Sequence, residues 1–509
     1  MYYPSKKEYL IKAKSYNLIP VYGEYIVDTE TPSSIFMKAG GPGGNGFLLE
    51  SIEGAISLSR YSFIGIGCRA LISFNDGTFT MECGCKKKIE VKTKKPLEEL
   101  EKVMSGYRLY KNPELNHFTG GAVGYLGYDL IKYFENVQLP GKKSSFPEMM
   151  LYLTDSMIVF DHMLNRMKII STVKIDENLS PEDAYAQSIE KIESIQRKIC
   201  EGQKNNMENI GSNFFISDDN LSGCDQDFSS ESNFTKESFL EAVEKAKKYI
   251  TCGEAFQIVL SQRFSTDNFS NSFNIYRGLR TINPSPYMYY MNFGDFEIIG
   301  SSPEPLVKIN GRKVLTRPIA GTRKRGKTSV EDMRLADDLL NDEKERAEHN
   351  MLVDLSRNDL GRVCRYGSVK VKKYMSVEKY SHVMHLVSEV EGILDKNKTV
   401  YDALRSAFPA GTLSGAPKIR AMQIISELEP DCRGPYGGVV GYFGYDGSLD
   451  SCITIRTALV KGGRAYIQAG AGIVYDSIPE NEWNETVNKA SALFKAIRVA
   501  GNTIGNGKT

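Results

Sequence analysis

The 509-residue sequence has no run near the ~18 consecutive apolar residues that a membrane span requires, so it predicts neither a transmembrane segment nor a membrane partner. It has no surplus of charge: 64 Lys and Arg stand against 63 Asp and Glu, leaving a net +1. Proteins that grip nucleic acid through bulk electrostatics carry a basic excess, so no nucleic-acid partner is expected. Its nine cysteines are odd in number and show no paired CxxC spacing. Cys83 and Cys85 flank a glycine beside a lysine run, as in a turn. Reduced thiols are expected, and with them a cytoplasmic location. The first twenty residues have early lysines but neither the apolar core nor the small-residue cleavage site of a secretory signal. GxxxxGK[ST], GxSxG and HExxH are all missing. The glycines of Gly40 to Gly46 lack the following Lys-Ser/Thr, so they predict a loop rather than a phosphate cradle.

What is there is ordinary for a globular chain: 41 % hydrophobic and 25 % charged residues. Strands are predicted at Tyr22–Val27, Phe47–Glu50 and Met157–Phe160, and a polar helix over Pro181–Cys200. Between residues 200 and 233 the composition shifts to Asn, Ser, Asp and Gly, which marks a linker or insertion. Helical spacing resumes with Phe239, Val243, Ala246 and Ile250, and closes the chain with Trp483, Val487, Ala490, Phe494 and Ile497. One internal echo spans both parts. Gly120-Gly-Ala-Val-Gly-Tyr-Leu-Gly-Tyr-Asp129 matches Gly437-Gly-Val-Val-Gly-Tyr-Phe-Gly-Tyr-Asp446 at roughly eight of ten positions. Two occurrences far apart exclude a solenoid and suggest equivalent strands, one per unit, packed closely through their glycines.

Carboxylates on helices are the first candidate chemistry. Glu348 opens a helical pattern with Ala347, Met351, Leu352 and Leu355 on one face. Glu482 and Glu485 are three residues apart, hence on one side of a later helix. Two such helices facing one pocket would suit Mg²⁺, which takes one or two carboxylates and keeps waters. The same acids near Pro479 could instead complement a helix dipole. Arg456 lies in Cys452–Leu459, which alternates like a buried strand, so it needs a partner: a ligand carboxylate or an internal acid. Gly470-Ala-Gly472 can bring backbone amides close to an anion. Thr412 lies in a similar small-residue loop opening a helix.

In combination these segments resemble a known family. Pro318-Ile-Ala-Gly-Thr-Arg323, Glu348 to Asp359, Phe408 to Lys418 and Gly470-Ala-Gly-Ile-Val474 occur in the order found in the chorismate-utilising enzymes. Leu48-Leu-Glu-Ser51 and the Gly120–Asp129 segment resemble the N-terminal region of its anthranilate synthase component I branch. The resemblance implies an α+β fold of two stacked antiparallel β-sheets surrounded by helices. It divides the chain into an N-terminal region, 1–199, which carries part of a tryptophan site, the 200–233 linker, and a chorismate-binding catalytic region, 234–505.

By the family pattern, Glu348 and Glu485 would hold Mg²⁺, with Glu482 as a third or water-mediated ligand. Arg456, Tyr436 and the amides of Gly470, Ala471 and Gly472 would bind the enolpyruvyl carboxylate, and Gly321, Thr322 and Thr412 would line the ring site. Glu304 would protonate the departing hydroxyl, a role that needs a raised pKa. His385 would assist pyruvate elimination. Water-adding relatives carry a lysine where this chain has Gln257, and 4-amino-4-deoxychorismate synthases carry one where it has Ala320. Both substitutions favour direct amination to anthranilate, the first committed step toward tryptophan, over the alternative of aminodeoxychorismate synthase component I. No glutamine amidotransferase motif is present, so the resemblance implies a partner subunit that supplies ammonia, in a heterotetramer. Ser51 with Pro284, Ser285 and Pro286 would hold L-tryptophan as feedback inhibitor.

Overall fold

Alternating burial builds most of the strands. Ala70–Asn75 turns Ala70, Ile72 and Phe74 inward and leaves the residues between them partly exposed. The computed structural model describes every residue except 53–59, 85–87, 142, 206–229, 268, 270, 381–382 and 502–509. Cys85 and most of the 200–233 linker therefore lie outside the described residues. The polar helix runs Pro181–Asn205, and the chain re-enters as the short strand Glu231–Ser232.

The strands form two twelve-stranded antiparallel sheets. At the centre of the first, Gly46–Glu50 pairs with Tyr287–Asn292, Leu48 opposite Tyr290. Outward on one side run Tyr61–Ile66, Ser156–Asp161, Arg166–Ser171 and Val21–Ile26. On the other run Phe296–Ser302, Thr457–Lys461, Arg464–Ile473 and Gln257–Thr266. At the centre of the second sheet the two echo segments meet: Gly121–Leu126 pairs with Val439–Gly444. Met149–Leu153, Ala70–Asn75, Thr78–Cys83 and Lys88–Lys92 continue on one side, and Leu449–Ile453, Pro305–Asn310, Lys313–Thr316 and Val383–Ile393 on the other.

Read along the chain, the first ten of these strands and the last ten occupy matching places in the same order. The chain is therefore a duplicated unit, and each repeat gives strands to both sheets. The helix Pro181–Asn205 closes the first repeat and runs past residue 200, where the linker is expected to begin. Gly124 faces its own echo, Gly441, across the axis between the repeats. A Cβ at Gly124 would lie 2.1 Å from the carbonyl oxygen of Met150, and one at Gly441 2.2 Å from that of Asp450. Any side chain at either position would push the adjacent strand away.

Phe47, Tyr125, Tyr152, Tyr289 and Ile298 fill the layer between the sheets. Helices cover both outer faces. Lys6–Ala13, Pro32–Lys38, Pro181–Asn205, Ser272–Ile282 and Pro479–Gly501 pack on the first sheet, and Pro96–Ser105, Glu343–Gly361 and Val400–Ala407 on the second. The result is the expected α+β sandwich. No helix among the described residues is long and apolar enough to cross a membrane.

Candidate active site

Two chain crossings between the sheets adjoin in the second repeat, one carrying Glu304 and the other Arg456. Phe296–Ser302 belongs to the first sheet and Pro305–Asn310 to the second, and Glu304 sits in the step between them. The run Cys452–Leu459 is likewise not one strand. Leu449–Ile453 ends in the second sheet, Thr457–Lys461 begins in the first, and Arg456 stands at the crossing with a left-handed φ of 50°. The expected alternation is not found: two half-strands, buried on both faces, flank the partly exposed Ile455 and Arg456. The crossings are joined by the Ile453 N–H, which donates to the Glu304 carbonyl at 3.0 Å.

Burial lifts the Glu304 carboxyl to a pKa of about 7, against hydrogen bonding from Thr412 that favours the charged form. Thr412, in the short helix Gly411–Ser414, donates its hydroxyl to Glu304 Oε1 at 3.0 Å. The Arg456 guanidinium is desolvated, which lowers its pKa. Among the described residues no acid pairs with it. It opens on a cleft of about 460 Å³ lined by Asn481, Asn484, Glu485, Asn488 and Lys489. Of the two partners its sequence setting allowed, an internal acid is thus not found.

Gly470, Ala471 and Gly472 lie within Arg464–Ile473, paired with Ser261, Leu260 and Val259. Ser261 gives its N–H to Glu429 Oε1 at 2.8 Å, and the Gly470 carbonyl accepts from Lys489 Nζ at 3.0 Å. Ser261 and Gly470 are therefore a non-hydrogen-bonded pair. Gly470 and Gly472 turn their amides away from that ladder, and Ala471 turns its own into it. Of the three expected amides, the geometry leaves the two glycine ones available. Tyr436 is buried with its hydroxyl close above Gly470, 2.9 Å from where a Cβ would stand.

Glu348 lies near the start of Glu343–Gly361, but the buried face differs from the expected one. Ala347 is exposed, while His349, Leu352, Val353 and Leu360 are buried. His349 anchors this rotation by bonding Ser388 Oγ through Nε2 at 2.6 Å, and a methyl group has too little area to compete. Burial raises the Glu348 pKa, with the Glu345 charge adding to it and a hydrogen bond from Gln257 opposing it. Glu482 is also raised, by burial and by Glu485. Lys489 pairs with Glu485 at 2.6 Å. Lys344 and Lys489 act on both Glu348 and Glu482, so the two helices face one cleft. Among the described residues no three acidic, His or Cys side chains form a ready cation cage. Hard carboxylates with room for water suit Mg²⁺ better than a metal that demands a full protein shell.

His385, on Val383–Ile393, places Nδ1 3.0 Å from the Gly321 carbonyl and 3.1 Å from Thr322 Oγ1. A carbonyl only accepts, so Nδ1 carries the hydrogen and Nε2 keeps its lone pair. Burial, aided by the Arg456 charge, lowers the pKa and keeps the ring neutral. Gly321 has φ 68°, and a Cβ there would approach Leu339 at 3.0 Å and Glu345 at 3.1 Å.

The remaining sequence candidates gather elsewhere. Ser51 and Pro286 line a cavity of about 540 Å³ between the sheets, with Tyr287, Tyr289, His117, Phe118, Val440, Tyr442 and Cys452. Pro284 and Ser285 adjoin it without lining it; the Ser285 carbonyl accepts from Ile52 at 3.3 Å. The Ser51 hydroxyl is buried without a partner among the described residues. Sequence reasoning missed Tyr442 and Cys452 here, although Tyr442 belongs to the echo.

Comparison with known proteins agrees with this geometry. A family model described as chorismate binding enzyme matches residues 50–495. The chain belongs to the chorismate binding enzyme family. Among relatives of this chorismate binding enzyme, anthranilate synthase component 1 of Acetivibrio thermocellus is 48 % identical over 98 % of this chain and 99 % of its own length. The protein of the same name from Thermus thermophilus is 44 % identical over 94 % and 98 %. The crystal structure of anthranilate synthase component I from Streptococcus pneumoniae superposes with a TM-score of 0.71 at 39 % identity, over 87 % of this chain and 94 % of that one. The menaquinone-specific isochorismate synthase of Escherichia coli, 20 % identical with a TM-score of 0.67 over 96 % and 98 %, shares the fold.

Proposed function

We propose that this chain converts chorismate and ammonia to anthranilate, pyruvate and water. One observation carries the reading: adjoining crossings carry Glu304, a carboxyl that still holds a proton near neutral pH, and Arg456, a desolvated guanidinium with no acid partner among the described residues. Such a pair fits a substrate that brings a carboxylate and must lose a hydroxyl.

Arg456, the Tyr436 hydroxyl and the amides of Gly470 and Gly472 receive the enolpyruvyl carboxylate. Gly321, Thr322 and Thr412 border the ring. Glu348 and Glu485, with Glu482 through water, would hold Mg²⁺, which supplies positive charge against the ring carboxylate. Ammonia attacks ring carbon C2 with its lone pair. The C4–O bond breaks, and the Glu304 proton completes the departing water. His385, neutral with Nε2 free, then assists loss of the hydrogen at the aminated carbon. The bond from the ring carbon to the ether oxygen breaks, enolpyruvate leaves with the electron pair and is protonated at its methylene to pyruvate, and the ring becomes aromatic.

Gln257 and Ala320 support ammonia as the nucleophile. Gln257 donates to Glu348 and so borders the cleft, where an amide activates no water. Ala320 is buried opposite Leu386 and offers no amine. Ammonium is mostly protonated near pH 7 and needs delivery, which implies a glutamine amidotransferase subunit. Phe256, Tyr475 and Ile478, exposed on segments that border the cleft, give it an apolar face to cover. The 540 Å³ cavity suits tryptophan in its size and aromatic lining, with the Ser51 hydroxyl free to bond it, as a feedback inhibitor acting between two states.

The test is purified chain with chorismate, Mg²⁺ and ammonium, following anthranilate fluorescence and pyruvate with and without tryptophan. Equal anthranilate and pyruvate, suppressed by EDTA and by tryptophan, is the expected result. An aminated chorismate without pyruvate would transfer the chain to the folate branch.

A further inference from the structure

Beneath the cleft, Arg433 and Glu429 form a fully buried ion pair. Arg433 Nε and Nη2 clasp the two carboxylate oxygens of Glu429 at 2.8 and 2.6 Å. Nη1 donates to the Leu413 carbonyl at 2.6 Å, and Nη2 also to the Val259 carbonyl at 2.7 Å. The guanidinium lies 4.6 Å from the ring centre of Tyr128 and 5.7 Å from that of Tyr436. Glu429 in turn accepts from both the N–H and the hydroxyl of Ser261 at 2.8 Å.

Each of these contacts ends one step from a residue the proposed reaction uses. Leu413 follows Thr412, which bonds Glu304. Val259 and Ser261 are the register partners of Gly472 and Gly470. Tyr436 itself stacks on the guanidinium. The planar fork of arginine can hold these directions at once, whereas a lysine ammonium cannot. The first repeat has nothing comparable: the residue at the echo spacing from Arg433 is Asn116, which is exposed.

We infer that Arg433, oriented by Glu429, is a positioning residue that fixes Tyr436, Thr412 and the Gly470–Gly472 segment relative to one another for the enolpyruvyl carboxylate. The inference rests on the function proposed above. An ion pair serving stability alone would leave the kinetic constants of a folded variant untouched.

Removing one partner of a buried pair strands a charge, so the informative variant removes both charges, Glu429→Gln with Arg433→Met, beside the single change Arg433→Lys. Each is assayed with chorismate, Mg²⁺ and ammonium, and its thermal unfolding is measured. For the double variant we expect a melting temperature within a few degrees of the parent. We also expect KM for chorismate to rise and kcat to fall, each by about tenfold or more, with KM for ammonium within about twofold. Arg433→Lys should show the same split more weakly, and it decides the matter if the double variant does not fold. A folded variant that keeps kcat and both KM values within twofold overturns the positioning role. A parent chain that turns over no chorismate overturns the functional reading instead.

Discussion

The two repeats place the same crossings in the same positions, and only one is left wanting a ligand. In the second repeat Glu304 and Arg456 occupy the steps between sheets, and Arg456 has no partner. In the first repeat the corresponding steps carry Arg69 and Asp155, with the signs reversed. There Asp155 pairs with Lys191 from the helix that matches Pro479–Gly501. Arg69 donates to the Thr172 carbonyl at 3.2 Å and lies 5.5 Å from the Tyr107 ring centre. Tyr445, reaching across from the second repeat, donates to the Thr154 carbonyl at 2.6 Å. Both charges at the first repeat's steps are thus answered within the protein. The fold supplies a place for chemistry twice, and it is the unanswered charge that makes a site.

The sharpest way to break this comparison is to remove the carboxyl at the crossings of each repeat in turn. Glu304→Gln should lower anthranilate formation by about 10³-fold, the scale of a lost general acid. Asp155→Asn should leave turnover within about twofold, and a collapse of activity with the fold intact would show that the first repeat is not inert. Next in size, Arg456→Met should lower kcat/KM for chorismate by about 10²-fold, consistent with loss of one charge-assisted contact. Thermal unfolding should show no loss of stability, because an unpaired buried cation is removed.

Ser51→Ala should raise the tryptophan concentration for half inhibition by about tenfold with the uninhibited rate unchanged, a shift of about 1.4 kcal/mol. Inhibition that stays at the parent level would detach the central cavity from regulation.

The smallest effect concerns pH. At constant free ammonia, kcat/KM for chorismate should fall as pH rises through about 7, where Glu304 loses its proton. The sign for stability is the same. The folded chain holds this proton more tightly than the unfolded chain, whose Glu304 titrates near 4.5. The folded state therefore gives up stability as pH climbs from about 4.5 to about 7. In Glu304→Gln that decline should be shallower in the melting curves, the remainder coming from Asp129, which burial also raises to about 7, and from the raised Glu348 and Glu482.

Much of this arrangement was legible in the chain because it depends on local pattern. The strands at Tyr22, Phe47 and Met157, the helices ending at Ile250 and Ile497, and the echo all follow from spacing and glycine placement. The central pairing of Gly124 with Gly441 was foreshadowed by the echo, since identical strands with the same glycine gaps fit each other. What spacing could not reveal was where a run changes sheets. Cys452–Leu459 reads as one buried run, and the step at residues 454–456, with its left-handed turn at Arg456, divides it. The orientation of Ala471 was hidden for a related reason, because which edge an amide faces depends on the register of a strand some two hundred residues earlier. The Arg433–Glu429 clasp has no sequence signature beyond an i,i+4 pair, and such pairs are usually solvated.

The central pairing also bears on how the chain is made. Leu48 finds Tyr290 only after roughly 240 further residues have been added, which at ribosomal speeds takes on the order of 10–50 s. Through that interval the strand Gly46–Glu50 exposes an unpaired edge, and Gly121–Leu126 exposes one that accepts a close copy of itself. A second nascent chain offers that copy sooner than the chain's own C-terminal half does. Crowded polysomes would therefore favour strand exchange between neighbours, and slower initiation or a holding chaperone should raise the yield of monomer-folded enzyme.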